Sequence, residues 1–223
     1  MVAVVGVAIG ILAGSVAVVV FSDAPVDPVT SVGPAVTSFP AVDHDPEAAA
    51  AFVDAWERWR HATYVARGVW TRHLDAGGAP LSLATYVAQD PPRRLVVRGG
   101  AVLESVDGTI RSCDSDIETV TDCLAGEVGV DYEEAVEREL ALIRRQVSGP
   151  ERAYDVGRDE QVGCWVLELE HAAAAPPWGR WARFCFDENT GALVSARIRR
   201  PSAVDAEHVV ELRSSVTGAD FGA

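Results

Sequence analysis

The first 21 residues, MVAVVGVAIGILAGSVAVVVF, contain no charged side chain and a single hydroxyl, Ser15. As a helix rising about 1.5 Å per residue, this run would extend about 31 Å, close to the ~30 Å hydrocarbon core of a bilayer. Residues 1–21 therefore read as a transmembrane anchor that stays attached. A cleaved signal peptide is the alternative, although its apolar region usually spans only about 7 to 15 residues. The segment offers a weak cleavage signal: Ser22 and Ala24 are small, but Pro25 follows at once. The first cysteine is Cys113, so a lipid-modified N-terminal cysteine is excluded. Gly6, Gly10 and Gly14 form a stripe along one helix face. Such a stripe lets two membrane helices pack closely, or simply reflects how common glycine is in membrane segments.

Every charge lies beyond that run. The chain of 223 residues carries 33 acids and 19 bases, all of them arginine, for a net charge of −14. A surface this acidic repels phosphate and gives nucleic acid no electrostatic footing. One apolar run also excludes a multi-span transporter. The expected arrangement is a single-pass protein with its N-terminus inside and an acidic body outside the membrane.

Cysteine usage supports that placement. Cys113, Cys123, Cys164 and Cys185 all lie in the body, which suits two disulfides and an oxidising compartment. Cys113 and Cys123 flank DSDIETVTD, which reads as a polar loop. Cys164 and Cys185 sit in two strand-like runs, QVGCWVLELE and GRWARFCFD. Pairing 164 with 185 sets Trp165 opposite Phe184 and Leu167 opposite Ala182 on one face. Val166 beside Arg183 and Glu168 beside Trp181 fall on the other, so one register sorts the apolar pairs from the cysteines. Four cysteines still permit three connectivities, and four reduced thiols are the alternative. No CxxC or HxxxH spacing marks a zinc site.

Residues 22–45 are rich in Pro, Val, Ser, Thr and Asp without helical period and read as an extended spacer. From residue 46 to 223 the pattern is one α+β domain. Asp45 caps a first helix with Pro46 and Glu47 in its first turn, and Phe52, Ala55, Trp56 and Trp59 form its apolar face. Strands follow over 64–73, 81–88, 94–98, 102–106 and 109–113, with Asp107-Gly108 as a hairpin turn. A second helix spans 131–147, opened by Asp131 with Glu134 and stopped by Gly149-Pro150. Its buried stripe is Tyr132, Val136, Leu140, Ile143 and Val147. Five more strands cover 152–156, 161–170, 180–186, 193–199 and 207–216.

Three stretches resemble the outer-membrane lipoprotein carrier (LolA-like) superfamily, which includes periplasmic lipid-binding lipoproteins and regulators of anti-sigma factors. Ala88-Gln89-Asp90-Pro91-Pro92-Arg93-Arg94-Leu95 is similar to its turn before the third strand. Phe186-Asp187-Glu188-Asn189-Thr190-Gly191-Ala192 is similar to its Asp-x-x-Thr-Gly hairpin, and Val216 to Phe221 to its terminus. The resemblance implies an incomplete antiparallel β-barrel, a half-barrel of about ten strands, with two main helices over its concave face. It also implies a cavity for lipid or lipoprotein acyl chains. By strand parity its lining would be Trp70, Leu83, Val87, Trp165, Leu167, Phe184, Phe186, Val194 and Leu212, with Trp56 as lid. The same side chains would equally serve as an ordinary filled core.

Enzyme readings find no support, since G-x-S-x-G, H-E-x-x-H and a Gly-rich phosphate loop are all missing. No catalytic residue, cofactor or metal is expected. Glu168, Glu170, His171 and His208 are the nearest approach to a metal set and read better as a solvated rim. The basic clusters are Arg93-Arg94 with Arg98, and Arg197 with Arg199-Arg200. They suit anionic head groups or an acidic partner, or pair with neighbouring carboxylates. Two functional classes follow: a membrane-tethered lipid or lipoprotein-binding module, and an envelope sensor or regulator that acts through a protein partner without lipid.

Overall fold

The structure is a computed structural model that describes residues 39–116, 119–171 and 176–221. The expected membrane helix, with Gly6, Gly10 and Gly14, and residues 22–38 of the expected spacer lie outside the described residues. No helix among the described residues is long and apolar enough to cross a membrane.

The elements are α1 (Pro46–His61), β1 (Tyr64–Leu74), β2 (Leu81–Asp90), β3 (Arg93–Arg98), β4 (Ala101–Val106), β5 (Thr109–Asp116) and β6 (Thr119–Val128). After them come α2 (Tyr132–Val147), β7 (Tyr154–Arg158), β8 (Cys164–Leu169), β9 (Trp181–Phe186), β10 (Leu193–Arg199) and β11 (Ala203–Arg213). A short 3-10 turn, Gly218–Phe221, closes the described chain.

Both helices start where their caps dictate. The Asp45 side chain accepts Glu47 N–H at 2.8 Å, and Asp131 accepts Glu134 N–H at 2.9 Å, each satisfying an orphan amide of the first turn. The Asp107-Gly108 turn has φ of 44° and 76° at its two residues, the pair of positive values that a two-residue hairpin with strand-matched twist requires. A Cβ on Gly108 would also lie 1.9 Å from Val130 O, so glycine is required there twice over.

The strands form one antiparallel sheet in the order β6-β5-β4-β3-β2-β1-β11-β10-β9-β8-β7. Two meanders thus run outward from the β1–β11 seam. α2 carries the chain from one sheet edge, β6, to the other, β7, and β11 returns to the centre. The sheet has eleven strands rather than about ten, because DSDIETVTD is not a loop. Its residues extend β5 to Asp116 and β6 back to Thr119, with Asp114 opposite Thr121 and Asp116 opposite Thr119. A hairpin arm is held by its backbone ladder, so polar side chains can occupy it, and Thr119-Val120-Thr121 is β-branched throughout. β11 likewise begins at Ala203 rather than 207, after a tight turn in which Arg200 N–H donates to Ala203 O at 2.8 Å.

The expected register of β8 and β9 is present: Cys164 faces Cys185, Trp165 faces Phe184, and Leu167 faces Ala182. Cys164 and Cys185 form a disulfide that closes a separation of 21 residues. Cys113 and Cys123 are register partners on β5 and β6, and their side chains lie outside the described residues.

Helices cover only part of one face. α1 packs on α2 and β7, and Phe52 sends its ring onto Trp165 (6.3 Å between centroids) and Phe184 (5.8 Å). The larger apolar cluster joins α1, α2 and the inner face of β7–β9, takes in Tyr64 and Ala66 of β1, and is flanked by Val87, Ala196, Ile198, Val209 and Leu212. A second, smaller cluster lies on the opposite face of β1–β4, where Phe221 packs with Val65, Ala88, Leu95 and Val102. Residues 39–45 also lie against the sheet. Phe39 stacks on Trp181 at 4.7 Å, Val42 N–H donates to Glu168 Oε2 at 3.0 Å, and Asp45 N–H donates to Val156 O at 2.8 Å.

Candidate functional site

Ladder pairing places Trp165, Phe184, Ala196, Glu207, Trp70, Leu83 and their neighbours on one continuous concave face. The ten residues expected to line a cavity all belong to this face or to α1, but they fall into two environments. Trp56, Trp165, Leu167, Phe184 and Phe186 are buried in the α1-covered half. There the rings of Phe52, Trp56, Trp178, Phe184 and Phe186 pack with centroids 5.4–6.4 Å apart where they touch. Ring spacings of this size are those of a filled aromatic core. Trp70, Leu83 and Val194 are only half-buried and lie toward the half that α1 and α2 leave open, whereas Val87 and Leu212, also half-buried, pack against the edge of the core.

This open half is a trough. Val96 on β3 stands between Val87 on β2 and Leu103 on β4, and all three are half-buried. Its deepest part is a pocket of about 70 Å³ lined by Tyr64, Ala66, Val87, Val96, Val194 and Val209, among others. The β1–β11 ladder has a bulge between Arg67 and Gly68 at this floor. Glycine is needed at the bulge because a Cβ on Gly68 would approach His208 O to 2.4 Å. Because the rest of the trough faces outward, an elongated guest would lie along it rather than be enclosed.

The line between core and trough is drawn by Trp59 and Gln89. Trp59 Nε1–H donates to Tyr64 Oη at 2.9 Å, and the fully buried Gln89 side chain donates Nε2–H to Trp59 O at 2.6 Å and Ala62 O at 3.0 Å. Trp59 O also takes the capping Ala62 N–H at 3.3 Å, and Gln89 adds donors to these buried carbonyls at the C-terminal end of α1, tying the helix to the sheet. Burial raises the pKa of Tyr64, partly opposed by the nearby positive charge of Arg94.

Charges on the concave face pair across strands. Arg72 grips Asp205 through Nε and Nη2 at 2.6 and 2.8 Å, and Arg98 donates to Glu207 at 3.0 Å. The Trp70 ring lies between the two guanidinium groups, 5.1 Å from that of Arg72 and 5.3 Å from that of Arg98. Of the two basic clusters, Arg93 binds Glu104, Arg199 binds Asp75, and Arg200 binds Asp205. Pairing with carboxylates therefore accounts for most of the arginines that stood out in the sequence.

A larger groove of about 550 Å³ lies at the far end of α1, bounded by Ala51, Asp54, Arg58, Asp159, Glu160 and Glu188 and reached by Trp165 and Phe186. Its walls mix charged with apolar residues and its carboxylates outnumber its arginines, so it disfavours an anionic guest. Glu168, Glu170, His171 and His208 are not assembled. Glu168 serves Val42 N–H, His171 Nδ1 lies 3.1 Å from Arg152 O, and His208 sits on β11. No group of three or more His, Cys, Asp or Glu side chains among the described residues is arranged to hold a metal ion.

Sequence parity assigned the inward positions but could not separate core from trough. Val96 and Leu103, which complete the trough, were missed. The signal that could have found them is the continuation of parity across the Asp90-Pro91-Pro92 turn from Val87 to its partner Val96.

An open antiparallel sheet carrying two helices on one face and a half-open apolar trough has the form of a small binding module. No family model matches the sequence, and no curated protein matches it. Solved structures of the LolA-like kind do match. One is a LolA superfamily protein of Nitrosomonas europaea, with 9% identity over 79% of this chain and 97% of that one and a TM-score of 0.35. Another is the Mycobacterium tuberculosis lipoprotein LppX, with 16% identity over 78% and 98% and a TM-score of 0.41. The Pseudomonas aeruginosa MucA/MucB complex matches at 9% identity over 78% of this chain and 60% of that one, with a TM-score of 0.44. Likeness at this level concerns the fold alone.

Proposed function

We propose that the chain is a membrane-tethered, extracytoplasmic binding module whose concave trough holds an acyl chain of a lipid or lipoprotein. One observation carries this reading. The sheet keeps Trp70, Leu83, Val96 and Leu103 half-buried on its uncovered concave half, with Val87 at the border of the core that α1 fills. An apolar strip left open beside a complete core is surface that a hydrophobic guest would remove from water, at about 25 cal/mol per Å². The tether rests on the apolar run of residues 1–21, and the outer placement rests on the cysteines. Mass spectrometry of lipid co-purified with the 223-residue chain tests the reading. Stoichiometric acyl lipid is expected, and a lipid-free protein that binds no added acyl chain overturns it.

A second reading is an envelope sensor or regulator that binds a protein partner without lipid. The tight packing of Phe52 against Phe184 and Trp178 favours it, since that half of the fold has no internal cavity to load. Isolation of a single envelope protein in a lipid-free complex would establish it.

A further inference from the structure

Arg94 differs from the other arginines of the concave face. It stands on β3 between Gln89 on β2 and Ser105 on β4, lines the deepest part of the trough, and is half-buried. Arg72 and Arg98 each hold a carboxylate, but Arg94 forms no ion pair with any carboxylate of the described residues. Its guanidinium lies over the Trp59 ring at 5.2 Å, and its Nε–H, like that of Arg98, is buried with no acceptor. Arg94 is therefore a surplus cation of the trough: Arg72 and Arg200 share Asp205, and Arg98 holds Glu207.

That surplus is informative because the chain is otherwise so acidic. With 33 acids to 19 bases, carboxylates are abundant, and a half-buried cation ordinarily acquires one. The phenol of Tyr64 beside it accepts Trp59 Nε1–H and a hydrogen bond from the Arg94 side chain, and gives its own hydrogen to no acceptor among the described residues. Two donors without acceptors thus meet at one end of an apolar strip. A guanidinium presents Nε–H and an outer amino group as a side-on fork matched to the two oxygens of a carboxylate or phosphate.

We propose that Arg94, assisted by the Tyr64 hydroxyl, is a head-group receptor and that the trough takes an anionic lipid, with its charged head at Arg94 and its acyl chain along Val87, Val96 and Leu103. This rests on the acyl-binding reading above and adds the charge of the ligand to it. The Trp59 ring, already stacked on the guanidinium, holds the fork in place. Arg98 and Glu207 neutralise each other next to it, so the anion meets one unshared cation.

The test compares three probes on the purified 223-residue chain held in amphipol: oleate, oleyl alcohol with the same chain and no charge, and acetate with the charge and no chain. Oleate is expected to bind at least about tenfold more tightly than oleyl alcohol, the gain typical of a charge-assisted hydrogen bond, with acetate undetectable. In Arg94→Gln that ratio falls to about one through weaker oleate binding, whereas Arg94→Lys, which keeps the charge without the fork, retains only part of it. Thermal melts of both variants establish that they are folded. Equal binding of oleate and oleyl alcohol, or a preference that survives Arg94→Gln, overturns the head-group assignment and leaves the acyl-binding reading standing. Failure of both amphiphiles to bind overturns both.

Discussion

The side chain of Gln89 closes the end of α1: its Nε2 donates to the carbonyl of Trp59 at 2.6 Å from a position with no exposure to solvent. A second contact to Ala62 O at 3.0 Å completes the amide's two hydrogens. Gln89→Leu removes its donors from buried helix-end carbonyls, of which Trp59 O keeps only the 3.3 Å bond from Ala62 N–H, at a cost of about 1–3 kcal/mol. For a domain of this size the melting temperature should fall by roughly 2–4 °C per kcal/mol, read by differential scanning calorimetry. An unchanged melting temperature would show that α1 is held by its aromatic contacts alone.

The two halves of the concave face should respond differently to truncation. Phe52→Ala removes a ring in contact with Trp56, Trp165, Trp178, Phe184 and Phe186 and should cost about 3–5 kcal/mol in urea unfolding. The double variant Val96→Ser, Leu103→Ser in the trough should cost about 1 kcal/mol or less per site, because both side chains are already half-open to water. Its acyl-chain binding should nevertheless drop severalfold by calorimetric titration. Retained affinity in the double variant would move the guest out of the trough.

Loss of the Cys164–Cys185 bridge, through paired serine substitutions, should destabilise the domain by about 3 kcal/mol, as expected for a closed loop of this length. The variant is compared with the oxidised chain by urea titration. The bridge lies on the face of β8–β9 turned away from Trp165 and Phe184, so acyl binding by the folded variant should be little altered.

All four tyrosines titrate late. Tyr86 and Tyr154 are pushed up to about 12, Tyr154 chiefly by burial and Tyr86 by burial together with the neighbouring Asp220 carboxylate. Burial also raises Tyr64 and Tyr132. A phenol whose folded pKa exceeds its unfolded value near 10 favours the folded state below pH 10 and loses that contribution as pH rises toward 12. Absorbance at 295 nm should therefore show no tyrosine ionisation centred near pH 10 in the folded protein, and stability should decline between pH 10 and 12. A wave centred at 10 would refute the burial of these phenols.

Acid should loosen the C-terminal turn. Asp220 accepts hydrogen bonds from Thr217, Arg213 and Tyr86, which together outweigh the opposing effect of its burial and hold its pKa below the ordinary carboxylate range. A depressed folded pKa stabilises above the unfolded value near 4 and is lost as pH falls through the folded one. Asp220→Asn should abolish that part of the acid dependence, seen as faster amide exchange of residues 216–221 at pH 5 in the variant than in the parent.

Local chemistry was legible in the sequence wherever it is settled by near neighbours. Asp45 and Asp131 had to cap helices, Asp107-Gly108 had to turn, and the register that pairs Cys164 with Cys185 sorted Trp165 and Phe184 from the cysteines. These outcomes depend on orphan amides, positive φ and side-chain alternation, all short-range. Strand identity failed in DSDIETVTD, because the ladder that holds its residues in β5 and β6 is paid for by backbone pairing rather than by apolar pattern.

What the sequence could not contain is how much of the concave face α1 and α2 cover. Trp165 and Trp70 obey the same parity rule, yet the first is buried in a ring cluster and the second lines an open trough. The difference arises because α1 packs toward β7 and meets β2 and β3 only near Gln89, Val87 and Arg94, leaving Trp70, Leu83, Val96 and Leu103 half-buried. The same docking leaves Arg94 beside Trp59 without a carboxylate, while Arg93, its neighbour on the other face, binds Glu104. Alternation along a strand determined which side chains share a face; only the seat of the helix on the sheet decided which of them are core and which are exposed to a ligand.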